Sequence, residues 1–464
     1  MLMYSVAIAT FAVLSSIVGA TLQIVPGATW TAHIQAHGGG MLKVGDKWYW
    51  YTVPISICAS CQANGFTDLV RVGEDKTNGS AFSNINCYSS SNLVDWSYEG
   101  ALLTRTASGD TGPNRVIERP KLMFNQKTKK YVLWMHIDSS NYSEAKAGVA
   151  TGDSVCGKYN YIGSKQPLGF QSRDMGVFMD DDGKGYLLTE DRQHGLRIDA
   201  LSDDYLEVTS NVYLFAEDYE APALIKKKGV YFIFASRLTG WDPNDNYYST
   251  ATSLSGPWSS WQKFADSGSN TYNSQTNFVL PVGDSFVYMG DRWVSDNLMR
   301  STYVWLPLTV SGTTASMKNA VNWVVNPSTG SMTAGPSETQ VEGESGTLSN
   351  GAKVVSCSGC SGGKAAGFLG GPSGGKVVLS NVQSGATTRT TLRIKHMNGD
   401  SSPRYADVSV NGKTQRIAFL PNGGSDPASS VVTADLQQGN NVVQISMQGG
   451  AWGPDVDRLM VPQS

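Results

Sequence analysis

The sequence has no basic tract and no acidic block: charged residues make up 16% of its 464 positions and the formal net charge is −3. So balanced a surface argues against nucleic acid or an anionic membrane surface as the main partner. Beyond residue 20 no segment reads as transmembrane. Cysteine is sparse, with six residues. Apolar and aromatic side chains are not: hydrophobics reach 40%, with 12 Trp and 20 Tyr, a profile incompatible with disorder and sufficient for two or three domains with a sizeable core.

The first twenty residues contain no Lys, Arg, Asp or Glu and close on Val18-Gly19-Ala20. This reads as a cleaved secretory signal, a membrane anchor being the alternative. In an exported chain the cysteines fit disulfides better than metal thiolates. Cys357 and Cys360 are expected to pair locally, and Cys58, Cys61, Cys87 and Cys156 allow three connectivities. Asn78 and Asn141 head N-glycosylation acceptor triplets.

A weak repeat organises the first two thirds of the chain. An apolar strand, a turn of Gly, Asp or Lys, and a strand of alternating aromatic and aliphatic residues recur at Gly40–Trp50, Lys121–Tyr131, Gly176–Tyr186, Ala223–Phe232 and Phe278–Val287. Successive turns lie roughly 45 to 80 residues apart, room for about four strands each, so the expected architecture is all-β, a five-bladed β-propeller with the repeated hairpin innermost. A β-sandwich is the competing arrangement for a strand-rich chain.

A polar residue stands ahead of each turn: His37, Glu118, Asp174, Glu220 and Gln275. If the hairpins are equivalent, these five ring one mouth of the central channel. Loops returning to that mouth carry Glu190, Trp241, Asn244, Asp291, Arg292 and Trp293. Acids, arginines and indoles around a funnel suit a sugar, with Trp241 and Trp293 as stacking platforms and the charged groups on hydroxyls. His37 contacts either sugar or backbone; Arg119 either binds a hydroxyl or pairs with Glu118.

Glycoside hydrolysis needs a protonated carboxyl for the leaving oxygen and, in inverting enzymes, a second group that activates water. Glu220, beside Ala221 and Pro222, is the expected acid because desolvation raises its pKa, and Asp174 on the adjacent blade would add like-charge repulsion. At these residues the chain resembles glycoside hydrolase family 43, five-bladed propellers that act with inversion. The likeness covers about residues 23 to 330: Arg173–Gly183 looks like the segment of the pKa-modulating aspartate, and Glu220-Ala221-Pro222 like that of the general acid. Gln35–Gly40, Glu118–Lys121 and Gly290–Trp293 are most similar to the exo-β-1,3-galactanases. That resemblance implies release of galactose units from β-1,3-galactan, the arabinogalactan backbone. The family's usual base aspartate is absent, since Gly38-Gly39-Gly40 follows His37; Gln275 and Glu118 are expected to hold the water instead. A non-catalytic galactan-binding protein, or a hydrolase of arabinan or xylan, is the alternative.

After Trp323 a stretch of small residues precedes short strands separated by Gly, Ser and Asn, the pattern of a β-sandwich. Glu342 and Glu344 near its start and Asp455 and Asp457 near its end would be neighbours if the first and last strands pair, offering hard oxygen ligands for Ca²⁺. Val341–Glu344 and Asp455–Leu459 are similar to the ends of family 35 carbohydrate-binding modules, jelly rolls with a structural calcium; the resemblance implies Glu342, Glu344 and Asp457 as calcium ligands. Arg404, Tyr405, Trp452 and Asp455 are candidates for sugar contact there.

The chain is therefore expected to comprise a signal peptide (1–20), a propeller catalytic domain (21–326), a linker (327–338) and a jelly-roll sandwich (339–464). It reads as a secreted, extracellular, monomeric enzyme acting on β-1,3-galactan or arabinogalactan, with structural Ca²⁺ and no cofactor for catalysis.

Overall fold

The computed structural model describes residues 20–31, 34, 37–53, 82–424 and 426–463. The expected signal peptide, except Ala20, and Cys58, Cys61 and Asn78 lie outside the described residues.

Each of the five expected hairpins is the first strand pair of a four-stranded antiparallel sheet whose strands follow chain order. The first strands are His37–Val44, Arg115–Asn125, Met175–Met179, Tyr219–Lys227 and Gln275–Val282. Each lies against the first strand of the next sheet, and the fifth lies against the first. Almost everything is strand, in an arrangement of β-propeller type.

The heads of these first strands share a local device. Pairing skips residues between His37 and Gly40, Glu118 and Lys121, and Glu220 and Ala223. In each bulge the residue after the polar one has positive φ: Gly38 (70°), Arg119 (50°) and Ala221 (54°). Pro120 and Pro222 follow two of them and have no N–H to offer a ladder. A bulge re-aims the side chain before it, so His37, Glu118 and Glu220 leave their sheets in the same way. Lys121, fully buried, ties the heads together: its Nζ donates to Gly38 O (2.7 Å) and Asn277 Oδ1 (3.3 Å).

Between the first and fifth sheets lies an indole cluster: Trp305 sits 5.0 Å from Trp30 and 4.7 Å from Trp50, which in turn touches Trp96 at 5.4 Å. Cys87 is bonded to Cys156, and Cys357 to Cys360.

Residues 327–338 do more than connect. Met332–Ala334 is a strand paired with Trp323–Val325, which also takes up Gln23–Ile24. Small side chains do not prevent pairing because the ladder is made of backbone. The C-terminal part packs two sheets around Leu392, Ile394, Val408, Phe419, Ile445 and Leu459. Its first strand, Glu338–Glu342, pairs antiparallel with its last, Asp455–Pro462. The segment 20–31 joins this sandwich to the propeller-type part: Thr29 N donates to Ser429 O (2.8 Å) and Val431 N to Thr29 O (3.0 Å).

Truncating Trp50, which is fully buried, removes an indole contacted by three others and by Tyr303. W50A is expected to lose about 3–5 kcal/mol, read from denaturant midpoints at unchanged slope; a loss below about 1 kcal/mol would show that the cluster closes over the gap.

Candidate active site

The strand heads surround a cavity of about 280 Å³. On one side stands Glu220, 6% exposed. Gln275 Nε2 donates to Glu220 Oε1 (2.8 Å). The amide oxygen of Gln275 accepts from Trp293 Nε1 (3.0 Å) and from Arg119, so all of its orientation is spoken for. Arg119 also pairs with Asp174 (2.7 Å), and Arg192 Nε donates to Glu190 Oε1 (2.7 Å) while remaining 3.8 Å from Glu220. Burial, then the charges of Asp174 and Glu190, push the Glu220 carboxyl up to about 9, against the pull of Arg119 and Arg192. Burial and Asp174 also raise Glu190, whose Oε2 is buried without a hydrogen-bond partner.

A second carboxyl faces the cavity from the neighbouring sheet. Glu118 Oε1 accepts from Tyr142 Oη (2.6 Å), and its Oε2 accepts from His136 Nδ1 (3.2 Å). His136 Nε2 donates to Asp138 Oδ2 (3.0 Å), to which Arg173 also donates. Burial opposes a charge on His136, but its hydrogen bonds to both carboxylates outweigh it and lift the imidazole to about 9. Asp138 is buried too, yet His136 and the N–H groups of Glu144 and Ser139 hold it down to about 2. The result is an imidazolium clamped between two carboxylates, with Glu118 presented to the cavity.

His37 stacks on Tyr303 (4.3 Å) and meets Trp293 (4.9 Å). Its Nδ1 donates to Asp291 Oδ1 (3.0 Å), and its buried Nε2 has no partner. Trp241, 40% exposed, stands edge-on to Trp293 at 5.3 Å.

The cavity thus brings together His37, Glu118, Arg119, Asp174, Glu190, Glu220, Trp241, Gln275 and Trp293. Three residues expected to bind substrate stand outside its lining. Asp291 is buried and spends its carboxylate on His37 and on Gly38 N (2.9 Å). Arg292 donates to the carbonyls of Tyr272 (2.8 Å) and Asn273 (3.3 Å). Asn244 braces its own loop, bonded to both backbone groups of Arg237. Sequence reading overlooked His136, Tyr142 and Arg173 as lining residues. For Arg173 the signal was adjacency to Asp174; Tyr142 sits in a turn at φ 56°, with no sequence signal.

In the sandwich, Trp452 and Phe368 are exposed and meet edge-on at 5.9 Å. Asp455 is raised by burial and eased by Arg404, whose guanidinium also binds Asp400. Tyr405 is buried against Ala418 and Met447, a packing position instead of a ligand face. Among the described residues no group of three or more His, Cys, Asp or Glu is arranged to hold a metal ion as it stands. The donor chemistry nevertheless suits a hard cation: Glu342 Oε2 and Glu344 Oε2 are buried with no hydrogen-bond partner, and the buried Asp457 Oδ2 has only the Arg458 guanidinium beside it, at 3.2 Å.

His136 generates a stability prediction. Its pKa is higher folded, about 9, than the ordinary 6.5, so its contribution is fully present below about 6.5 and is lost as pH rises through about 9. H136Q is expected to flatten the fall of Tm across that interval; an unchanged slope would mean that the imidazole is not charged in the fold.

Comparison with known proteins bears on this geometry. Residues 68–291 match the model of glycosyl hydrolases family 43. The structure of an exo-β-1,3-galactanase from Phanerochaete chrysosporium with galactose is 39% identical, covers 95% of this chain and 100% of its own, and superposes with a TM-score of 0.64. A Glu-to-Gln variant of that enzyme holds β-1,3-galactotriose. An exo-β-1,3-galactanase from Clostridium thermocellum is 26% identical over 94% of this chain and 99% of its own, with a TM-score of 0.60. No curated protein sequence matches. The chain belongs to glycosyl hydrolases family 43 and is a glycoside hydrolase.

Proposed function

We propose that the protein is a secreted, inverting exo-β-1,3-galactanase that releases galactose from β-1,3-galactan, with Glu220 as general acid. The observation that carries this reading is a buried carboxyl lifted to about 9 in a cavity ringed by sugar-suited side chains. Such a group keeps its proton at neutral pH, as a donor to the glycosidic oxygen must. Asp174 raises it and, through Arg119 and Gln275, fixes where it points. Trp241 and Trp293 offer faces to a pyranose. Gln275 and Glu118 hold the attacking water, Glu118 being the one of the two with a carboxylate to accept its proton. No cofactor takes part. The galactan relatives, which include a galactotriose complex, support the substrate class.

In this reading the five sheets are the blades of a closed propeller, supported by the contact of the fifth first-strand with the first. The sandwich is a jelly-roll carbohydrate-binding module of the family 35 type. Trp452, Phe368, Arg404 and Asp455 contact sugar there, and Glu342, Glu344 and Asp457 hold Ca²⁺. The bound module raises local substrate concentration. The protein works as a monomer.

E220Q is expected to lose about 10²–10⁴-fold in kcat on β-1,3-galactan while sparing aryl substrates with excellent leaving groups; equal loss on both would remove Glu220 from the acid role. The wild-type rate should fall as pH rises through the Glu220 midpoint, since the ionised carboxyl cannot donate. Initial product followed by NMR should be the α-anomer, and an initial β-anomer would exclude inversion.

Ca²⁺ is expected to raise Tm and EGTA to lower it, with D457N abolishing the difference. Identical melting of the wild type with and without Ca²⁺ would overturn the metal assignment.

A further inference from the structure

Just ahead of Gln275 the backbone takes an unusual form. Asn270, Thr271, Tyr272 and Asn273 have φ of 51°, 52°, 57° and 56°, a full left-handed turn made of four non-glycine residues. Single residues adopt this region often; runs do not, because each Cβ is driven toward the following carbonyl oxygen. Such a turn persists only where its surroundings over-determine it.

Here they do. Asp245 accepts the N–H groups of Gly268 (2.7 Å) and Asn270 (2.9 Å). Thr271 Oγ1 accepts Asn246 N (2.7 Å), and Ser274 Oγ donates to Thr271 O (2.6 Å). Asn246 Oδ1 then takes both the N–H (2.7 Å) and the hydroxyl (2.8 Å) of Thr276. The backbone is pinned on both sides of Gln275. The last carbonyls of the turn, those of Tyr272 and Asn273, are held from outside by Arg292. Its guanidinium is backed by Gly27 (φ 79°), where a Cβ would stand 2.4 Å from Nη1. The next residue, Trp293, bonds the Gln275 amide oxygen, and the previous one, Asp291, is the register partner of Gln275.

We propose that Arg292 is a positioning residue: by holding the left-handed turn Asn270–Asn273, it fixes the Gln275 amide with its nitrogen on Glu220 and its oxygen toward Arg119 and Trp293. This rests on the roles proposed for Gln275 and Glu220. Arg292 stands outside the cavity lining and acts through the turn.

The test is a double-mutant cycle on β-1,3-galactan with R292M, which keeps the length of the side chain and removes both donors, and Q275A. R292M is expected to lower kcat by about 10- to 100-fold, the scale of a misplacement near 1 Å, with KM within about twofold. In the Q275A background the same change should cost less than about twofold more. R292K, which retains one donor, should recover part of kcat; should R292M fail to fold, R292K carries the same cycle. A raised KM at unchanged kcat, or losses that multiply in the double variant, would overturn the positioning role alone. Wild-type kcat in Q275A would overturn the reading of Gln275, and this proposal with it.

Discussion

Three carboxyls, Asp174, Glu190 and Glu220, share one corner of the cavity with two guanidinium groups, that of Arg119 buried and that of Arg192 half exposed. Arg119 is committed to Asp174 at 2.7 Å and Arg192 to Glu190 at 2.7 Å. Glu220 is left with a cation at 3.8 Å and an amide N–H at 2.8 Å. In a low-dielectric site like charges cannot all ionise, and the carboxyl without a cation at hydrogen-bond distance is the one that keeps its proton. Removing Arg119 would leave Asp174 as an unpaired charge beside Glu220.

Holding these groups in place requires a backbone that departs from regular strand at the mouth and nowhere else in the first strands. The bulges after His37, Glu118 and Glu220, each with a positive-φ residue, turn three side chains inward by one mechanism. The fifth head has a shorter bulge, between Thr276 and Phe278, and adds the left-handed turn before Gln275. Such irregularities store strain, and the consecutive residues Asp291, Arg292 and Trp293 show where it is resisted: one holds His37 and Gly38, one the turn, one the Gln275 amide. The sandwich adds constraint from outside, since Asn297 Nδ2, in the loop after Trp293, donates to Ser401 O (2.9 Å).

The five hairpins were legible because alternation and turn residues are local signals, and the ring of polar residues followed from their equivalence. The pKa-raising pair was legible too, because burial beside Ala221 and Pro222 and proximity to Asp174 depend only on that equivalence. Arg292 and Asn244, expected as sugar contacts, bond the backbone of their own chain outside the cavity lining: residue type says that a group can donate, not whether it faces a hydroxyl or a carbonyl of its own chain. His136 escaped because it lies on a second strand, and its place beside Glu118 is set by the pairing register of the two strands. The strand at Met332–Ala334 hid in a stretch of small residues because its pairing is carried by backbone.

The central claim is that Glu220 is protonated at neutral pH. Carboxyl ¹³C NMR of glutamate-labelled protein, with the Glu220 resonance assigned by its absence in E220Q, reads this directly. The account predicts the protonated shift at pH 7 and a midpoint near 9. A carboxylate shift already reached by pH 6 would contradict it.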